Sequence, residues 1–343
     1  MALIDQRIHD RFALYNGDSC EVLPDLRSES VGAIIYSPPF AELYNYSSSD
    51  RDLSNCASYD AFLEHYAFIV RETFRLLQPG RIATVHCMDL KWGRHQRDFP
   101  GDIIRLHQSI GFGYHSRRTV WKDPLKVAIR TRQLGLMHRQ LCKDSAIANV
   151  AGADFILSFM KPGENDLPIE HPAGLFHYAG EERPPAELAA KYRDWEDSKT
   201  NKLSHWIWRR YASSVWMDIR AGRVLPYKKA RESEEEKHVC PLQLDVIERV
   251  LTLWSNPGDV VLTPFLGVGS EAYTAVRMGR RAVGVELKPT YFRQAVLNVE
   301  SALEAVVNEN NDLLDLIPSD EMDVEPDEAV ASTERFAAMD MPE

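Results

Sequence analysis

The sequence predicts an α/β fold built on a mostly parallel, twisted sheet. Two observations lead to this prediction. Apolar, strand-like segments alternate with amphipathic, helix-like segments through residues 12–126, and the same alternation returns in residues 241–305. Alternation of this kind is typical of βαβ units, in which helices cover both faces of a buried parallel sheet.

The N-terminal stretch begins with a strand that ends at Gly17-Asp18 and continues with a more apolar one. The turn pair Pro79-Gly80 ends an amphipathic helix, and Gly111 ends a shorter one. In chain order the predicted elements are the strands FALYNGD and VGAIIYS, a helix over 61–77, the strand RIATVHC, a helix over 102–110 and the strand FGYHSRRTVWK.

The pattern is less regular after Lys126. DFILSFMK at 154–161 predicts a further strand, whereas residues 162–199 are rich in Pro, Gly, Glu and Asp and predict a long loop or a small inserted lobe. Regular signals return as the helix LQLDVIERVLTLW, the strand VVLTPF, a helix over 270–278, the strand RAVGVEL and a helix over 289–305. We therefore expect four parts: residues 1–126, 127–237, 238–305 and an acidic, disordered tail of residues 306–343.

Composition bounds the class of protein. The 343 residues are 44% hydrophobic and 27% charged, as in a globular protein. No apolar run approaches the ~18 residues of a membrane span, and the N-terminus lacks the apolar core of a signal peptide. The five cysteines are scattered without a CxxC pair, so we expect no metal site and a reducing cytoplasm.

Charge is unevenly distributed along the chain. The net charge is −11, and acidic residues concentrate after residue 310, which predicts a disordered acidic tail. Basic residues concentrate in 117–143 and 199–231, the second segment interleaved with tryptophans. Such segments are typical of a polyanion-binding surface, although a solvated face with core tryptophans explains them as well. The candidate DNA-binding residues in them are Arg117, Arg118, Lys122, Lys126, Arg130, Arg132, Trp206, Trp208, Arg209 and Arg210.

The strand VGAIIYS runs directly into Ser37, Pro38, Pro39 and Phe40. A proline pair cannot extend a central strand, because proline lacks the backbone donor and has a fixed φ. The alternatives are a simple turn, or a rigid segment that holds a hydroxyl, a carbonyl and a ring in fixed relative positions.

A second motif follows near the C-terminus. The strand VVLTPF leads through Pro264 and Phe265 into Gly267 and Gly269, and the next strand ends at Glu286. A glycine loop followed by an acidic strand end indicates a nucleotide-type βαβ unit, in which the carboxylate binds ribose. Ala272 occupies the place of a third glycine, so an adenosyl cofactor without a pyrophosphate is favoured over a dinucleotide.

Taken together, SPPF, TPFLGVG and GVELK resemble the motifs of the S-adenosylmethionine-dependent DNA amino-methyltransferases. The catalytic motif precedes the cofactor motif, as in the β class of that family, and the similarity is greatest to the methylases of phages and prophages. GDSCEVL, LLQPGRIATVHC and HVCPLQLDVIERV are supporting matches. The resemblance covers residues 12–126 and 238–300.

The resemblance implies a Rossmann-like methyltransferase fold with circularly permuted motif order and a target-recognition region inserted at 127–237. It also implies S-adenosylmethionine as cofactor, double-stranded DNA as partner, and a possible homodimer. No membrane or metal partner is implied. No nuclease signature is evident, which indicates a stand-alone modification enzyme, either part of a restriction-modification pair or an orphan.

The family's residue roles carry over onto the two motifs. The Ser37 side chain and the Pro38 carbonyl would accept hydrogen bonds from the amino group of a flipped base, Pro39 would hold the turn, and Phe40 would stack on the base. The cofactor residues implied are Asp18 at its adenine amino group, Glu286 at its ribose, Pro264, Phe265, Gly267 and Gly269 around it, and Pro241 and Leu242 over its methionine end.

Three positions depart from the family pattern. Small threonine or glycine residues often follow the second loop glycine, whereas Ser270 and Glu271 stand here. Thr263 stands where an aspartate usually ends the cofactor strand, and Ser37 stands where adenine-specific members often carry aspartate or asparagine. Serine is frequent in cytosine-N4 members, whereas adenine is the commoner target among bacterial members. We expect adenine N6, with cytosine N4 as the alternative. A non-catalytic DNA-binding relative, an RNA or protein-glutamine methyltransferase and a nicotinamide dehydrogenase are further alternatives.

Overall fold

The computed structural model describes residues 3–40, 52–92, 95–131, 134–148, 151–191, 195, 197–227, 230 and 241–314. Within them the strands are β1 Asp5–His9, β2 Phe12–Asn16, β3 Val31–Tyr36, β4 Leu77–Met88, β5 Leu90–Trp92, β6 His95–Arg97, β7 Gly113–Val120, β8 Asp154–Met160, β9 Val215–Trp216, β10 Val260–Thr263 and β11 Arg281–Glu286. The helices are α1 Ser19–Val22, α2 Tyr59–Leu76, α3 Phe99–Ile110, α4 Pro124–Thr131, α5 His138–Lys143, α6 Ala186–Ala190, α7 Lys202–Tyr211, α8 Leu244–Trp254, α9 Ser270–Arg277 and α10 Pro289–Leu314.

Nine of these strands form one sheet in the order β1-β2-β11-β10-β3-β4-β8-β7-β9, and β5 and β6 form a separate hairpin. Every predicted strand and helix is present, and the predicted α/β class is confirmed. The sheet is mostly parallel: β8 runs antiparallel to both β4 and β7, and β1 forms an antiparallel edge hairpin with β2.

The structure differs from the sequence prediction at Pro79-Gly80. The helix α2 ends at Leu76, and the pair lies inside the long strand β4 and not in a turn before it. The register of β3 against β4 jumps from Val31–Leu77 to Ala33–Ile82, so the pair is accommodated in a bulge. Gly80 has a φ of 71°, a left-handed conformation that glycine adopts without strain.

The SPPF segment and the glycine loop meet because β3 and β10 are neighbours. Val261 pairs with Ala33 in parallel register, so the two strands end side by side. From β10 the chain crosses through α9 to β11 on one side, and from β3 through α2 to β4 on the other. Ligands of open α/β sheets bind at such a switch point, outside the carboxyl ends of the strands.

The large hydrophobic core lies between the sheet and the helices α2 and α3. Tyr36, Phe62, Val85 and Phe159 are among its fully buried members. Side chains alternate along a strand, so the neighbours of Tyr36 and Val85 in sequence, Ser37 and His86, point to the other face of the sheet.

The described residues of 127–237 belong to the same compact unit as the sheet. They contribute β8 to the middle of the sheet and β9 to its edge, and the helix α8 binds the rest of the segment through buried charges. The guanidinium of Arg249, fully buried, donates to Asp218 (2.7 Å) and to the Ala179 carbonyl (2.7 Å). Asp245, also fully buried, accepts from Arg220 and Arg223.

The helix α10 continues to Leu314, so residues 306–314 are helical and not disordered as the sequence predicted. Residues 315–343, the remainder of the predicted tail, lie outside the described residues.

Candidate active site

A cavity of about 200 Å³ lies at the carboxyl ends of β3 and β10, with most of the predicted site residues in its wall. Ser37, Pro38, Pro39 and Phe40 line it on the β3 side. Asp18, Pro264, Phe265, Gly267 and Glu286 line it on the β2, β10 and β11 side, together with Pro241 and Leu242. Two motifs separated by more than half of the sequence therefore meet at one cavity.

The SPPF segment leaves β3 beside the end of β4. The Ser37 hydroxyl lies 2.8 Å from Nδ1 of His86, the residue that follows the Tyr36–Val85 pair in the register. The ring of Phe40 makes an edge contact with Phe99, at 6.4 Å between centroids. The Ser37 hydroxyl is therefore held by His86, which lies outside the cavity, whereas the SPPF segment lines the cavity wall.

His86 is held in turn by a buried carboxylate. Its Nε2 lies 3.3 Å from Oδ2 of Asp154, the first residue of β8, and Lys122 forms an ion pair with the same carboxylate. Burial raises the pKa of Asp154, but its interactions with the neighbouring His86 and Lys122 side chains outweigh burial and hold the pKa down at about 2. Asp154 is therefore ionised at neutral pH.

The glycine loop between β10 and α9 is tied to the end of β11. Oε2 of Glu286 accepts from the backbone N–H of Gly267 (2.7 Å), and Oε1 accepts from that of Lys288 (2.9 Å). Burial raises the pKa of Glu286 to about 7, although both backbone donors lower it. A ligand that donates hydrogen bonds would favour the ionised form of this carboxylate.

Gly269 differs from the other predicted cofactor residues, because it is absent from the cavity wall. It precedes α9 with a φ of 89°, and a Cβ at this position would lie 3.1 Å from Cβ of Ala295 in α10. Glycine is required here for the turn and for close packing. Gly267 has a φ of 56° and open space where a Cβ would lie, as close approach of a ligand requires.

Asp18 lies at the wall and also caps α1, since its Oδ1 accepts from the N–H of Cys20 (2.9 Å). Next to it, the Ser19 hydroxyl donates to the Pro264 carbonyl (2.5 Å) and fixes the β2 loop against the cofactor loop. Thr263, which replaces the usual aspartate, is buried, with its hydroxyl 3.3 Å from the Phe265 carbonyl oxygen.

The comparisons with known proteins agree with this geometry. The model of the N6/N4 DNA methylase family matches residues 31–297, which is most of the chain.

This chain belongs to the N6/N4 DNA methylase family.

Family membership makes it an S-adenosylmethionine-dependent DNA methyltransferase. It is 24% identical to the type II methyltransferase M.BglII of Bacillus subtilis over 288 residues, 81% of this chain and 66% of that protein. Over a shorter stretch of 83 residues, 24% of this chain and 28% of the relative, it is 29% identical to the DNA adenine methyltransferase YhdJ of Escherichia coli. A putative DNA modification methylase of Thermus thermophilus, TTHA0409, solved with S-adenosylmethionine, superposes with a TM-score of 0.54 and 25% identity, covering 84% of this chain and 95% of that one.

The residues of the methylase fit this cofactor. The Ser270 hydroxyl, at the start of α9, is buried in the cavity wall without a hydrogen-bond partner. Glu271 beside it is buried in the same wall, and burial raises its pKa to about 8. A cationic ligand group favours the ionised carboxylate, and S-adenosylmethionine carries both an ammonium and a sulfonium group.

The predicted DNA-binding residues divide into two groups. Arg117, Lys126, Trp208 and Arg209 are exposed. Of these four, Arg117 also lies over the ring of Phe155, at 5.2 Å from its centroid. The others whose side chains are described are less exposed and have partners within the protein. Arg118 lies over Trp254, Lys122 pairs with Asp154, and Arg210 pairs with Glu182 while lying over Trp206. The side chain of Arg130 and all of Arg132 lie outside the described residues.

Sequence reasoning missed His86 and Asp154, and it noted Ser270 and Glu271 only as departures from the family pattern. The signal for His86 was present, because a polar residue follows the apolar run of RIATVHC where that strand ends beside SPPF. Asp154 carried no such signal, since its proximity to His86 depends on the antiparallel placement of β8. In the described part of the chain, no helix is long and apolar enough to cross a bilayer, and no cluster of His, Cys, Asp or Glu is placed to hold a metal ion.

Proposed function

We propose that this methylase transfers a methyl group to N6 of an adenine flipped out of duplex DNA. The observation that carries the proposal is that SPPF and the cofactor loop line one cavity at the switch point of the sheet. The stretch of similarity to YhdJ, a DNA adenine methyltransferase, supports adenine as the base.

The proposed site acts by positioning. An exocyclic amino group is a poor nucleophile because its lone pair is delocalised into the ring. Hydrogen bonds from its two N–H groups to the Ser37 hydroxyl oxygen and the Pro38 carbonyl would draw the nitrogen toward tetrahedral geometry and aim the lone pair. S-adenosylmethionine, when bound, supplies a methyl group on a cationic sulfur.

Phe40 would hold the base in the cavity. Flipping a base out of the stack costs a few kcal/mol, and stacking on an aromatic side chain returns ~1–3 kcal/mol. Glu286 would hold the ribose of the cofactor, Asp18 its adenine, and Ser270 and Glu271 its amino-acid end.

Cytosine N4 is the second candidate, and a specific observation favours it. Ser37 is neutral, whereas an adenine-specific site often carries an acid or an amide at this position. The neutral serine oxygen can accept a hydrogen bond from the amino group of either base. The two candidates therefore share one mechanism and differ in the shape of the base pocket.

For DNA binding we propose the region 127–237 together with the end of β7. The strands β4 and β7 run in the same direction, so α4 and α5 follow β7 at the edge of the sheet where the cavity lies. Arg117, Lys126 and Arg209 would contact phosphates, and Trp208 would contact a base or sugar. A homodimer stays a prediction.

The test is methyl transfer from labelled S-adenosylmethionine to unmethylated genomic DNA, followed by digestion to nucleosides. We expect label in N6-methyladenine, and loss of at least about 10²-fold in rate for Ser37→Ala. Ser109→Ala, an exposed serine on α3, is the matched control and should retain full activity. Label in N4-methylcytosine would transfer the proposal to cytosine, and label in neither would overturn it.

A further inference from the structure

Four side chains form a chain of contacts that begins at the catalytic motif and ends at the protein surface. Nδ1 of His86 is 2.8 Å from Oγ of Ser37, Nε2 of His86 is 3.3 Å from Asp154, and Asp154 is paired with Lys122. The His86 side chain is 13% exposed and that of Asp154 is 4% exposed, whereas Lys122, at 24%, reaches solvent. We propose that His86, oriented by Asp154, fixes the Ser37 hydroxyl as a hydrogen-bond acceptor and receives its proton during methyl transfer.

The partners of His86 determine its tautomer. Nε2 of His86 is buried and forms no aligned hydrogen bond, but the ionised carboxylate 3.3 Å away can only accept, so the ring proton of neutral His86 belongs on Nε2. Nδ1 then carries a lone pair, and the Ser37 hydroxyl donates its hydrogen to it. Both lone pairs of the serine oxygen stay available to the amino group of a base. A serine hydroxyl without this partner could rotate and present its hydrogen to the base nitrogen instead.

The same contacts give the reaction a path for its proton. The base nitrogen forms a bond to the methyl carbon, the carbon–sulfur bond breaks, and its electron pair stays on sulfur. The nitrogen is then cationic and must lose one proton. It passes that proton to the oxygen of Ser37 as the serine hydrogen moves to Nδ1 of His86. Asp154 stabilises the resulting imidazolium, which later releases one proton to solvent.

The surroundings of His86 bear on its protonation. Among the described residues, Asp154 on β8 is the charged partner of His86, and Lys122 after β7 pairs with the same carboxylate. Arg118 on β7 lies over Trp254 and hydrogen-bonds to Ser116, and Cys87 points into the core on the opposite face of the sheet. At low pH a protonated His86 would donate to Ser37, occupying a lone pair of the serine oxygen and leaving no site for the released proton. The rate of methyl transfer should therefore fall toward acid.

This inference rests on the proposed role of Ser37, and the variants separate the two ideas. His86→Asn keeps an acceptor near the Nδ1 position but cannot take a proton, and His86→Phe removes both roles while filling the space. His177→Asn is the matched control, since His177 also pairs with a carboxylate, Glu248, on α8. Melting temperature and S-adenosylmethionine affinity identify variants that fold, and the single-turnover rate is measured with the full chain and DNA from about pH 5.5 to 9.

We expect His86→Phe to lose about 10²-fold in the single-turnover rate and His86→Asn to lose less, about 10-fold, with unchanged cofactor affinity. The acid limb of the wild-type profile should disappear in both. In a Ser37→Ala background, His86→Phe should cause little further loss, because it acts through the serine.

Wild-type rates in both His86 variants, with Ser37→Ala inactive, would overturn the inference and leave the proposed function intact. The same holds if the loss in His86→Phe persists undiminished in the Ser37→Ala background, which would indicate a purely structural role. If Ser37→Ala itself transfers methyl groups at the wild-type rate, the proposed role of Ser37 fails first.

Discussion

Burial raises the pKa of the Glu286 carboxyl group to about 7 and that of the Glu271 carboxyl group to about 8. A substantial fraction of each is therefore protonated in the free enzyme at neutral pH. Ribose hydroxyls donate to a carboxylate, and cationic groups attract one, so the bound cofactor favours the ionised forms. Binding should release protons, and affinity should rise as pH increases from about 6 to 9.

Isothermal titration calorimetry in buffers of different ionisation enthalpy would measure this release at fixed pH. Glu286→Gln should reduce the number of protons released and flatten the pH dependence of the cofactor affinity. An affinity independent of pH in the wild-type enzyme would contradict the assignment of these two carboxylates to the cofactor.

Gly269 and Gly222 provide a matched pair for testing the cofactor loop. Gly269 has a φ of 89° and packs against Ala295, whereas nothing lies within 4 Å of a Cβ placed on Gly222. Gly269→Ala should lower the free energy of unfolding by about 1–3 kcal/mol and weaken cofactor binding, because the loop before α9 must shift. Gly222→Ala should change neither, as chemical denaturation and calorimetry would show. Equal stability of the two variants would mean that the contact between Gly269 and α10 adjusts to the added methyl group with little loss in the free energy of unfolding.

At the scale of elements, α8 joins residues 162–227 to the sheet through buried charge. Asp218→Asn would remove the carboxylate that pairs with the fully buried guanidinium of Arg249. An uncompensated buried charge is costly, so we expect a loss of about 3 kcal/mol in the free energy of unfolding, measured by denaturant titration. Glu187→Gln on the exposed helix α6 should have no effect. A loss below about 0.5 kcal/mol for Asp218→Asn would show that water or a neighbouring group replaces the carboxylate.

The elements were predictable to the extent that their signals are local. Each strand and helix that carries a motif was predicted from periodicity and turn residues. Only the family resemblance linked SPPF with the glycine loop as parts of one enzyme. The direction of β8 was not predicted, because an apolar run does not say which way a strand pairs. Asp154 and the contact to His86 were missed for the same reason.

The basic segment 199–231 shows a second limit. Its alternation of cations and aromatic residues is typical of a polyanion-binding surface and equally of a solvated face with core tryptophans, and much of it forms contacts within the protein. Trp216 is buried, and Arg220 and Arg223 pair with Asp245. The sequence alone does not distinguish the paired Arg220 and Arg223 from the exposed Arg209, because their acidic partner Asp245 lies on α8, outside the segment.

For the molecule as a whole, we expect the exposed basic residues to contribute to DNA binding and those paired within the protein to contribute little. Arg209→Ala should weaken DNA binding at all sequences and reduce the slope of log K against log salt by about 0.9. Arg210→Ala, adjacent in sequence but paired with Glu182 and lying over Trp206, should leave the slope nearly unchanged. Fluorescence anisotropy over a salt series would measure both. Identical slopes for the two variants would contradict the proposed surface.

The pairing of β3 with β10 has a consequence for synthesis on the ribosome. β3 is complete near residue 36, whereas β10, its parallel partner, ends at Thr263. Through most of translation, the apolar strand β3 therefore lacks its native neighbour on the β10 side. An exposed apolar strand edge of this kind can pair with a wrong strand. Contacts so distant along the chain also slow folding. No nascent chain can assemble the cofactor cavity until its last strands are released, so modification activity begins only with a nearly finished polypeptide.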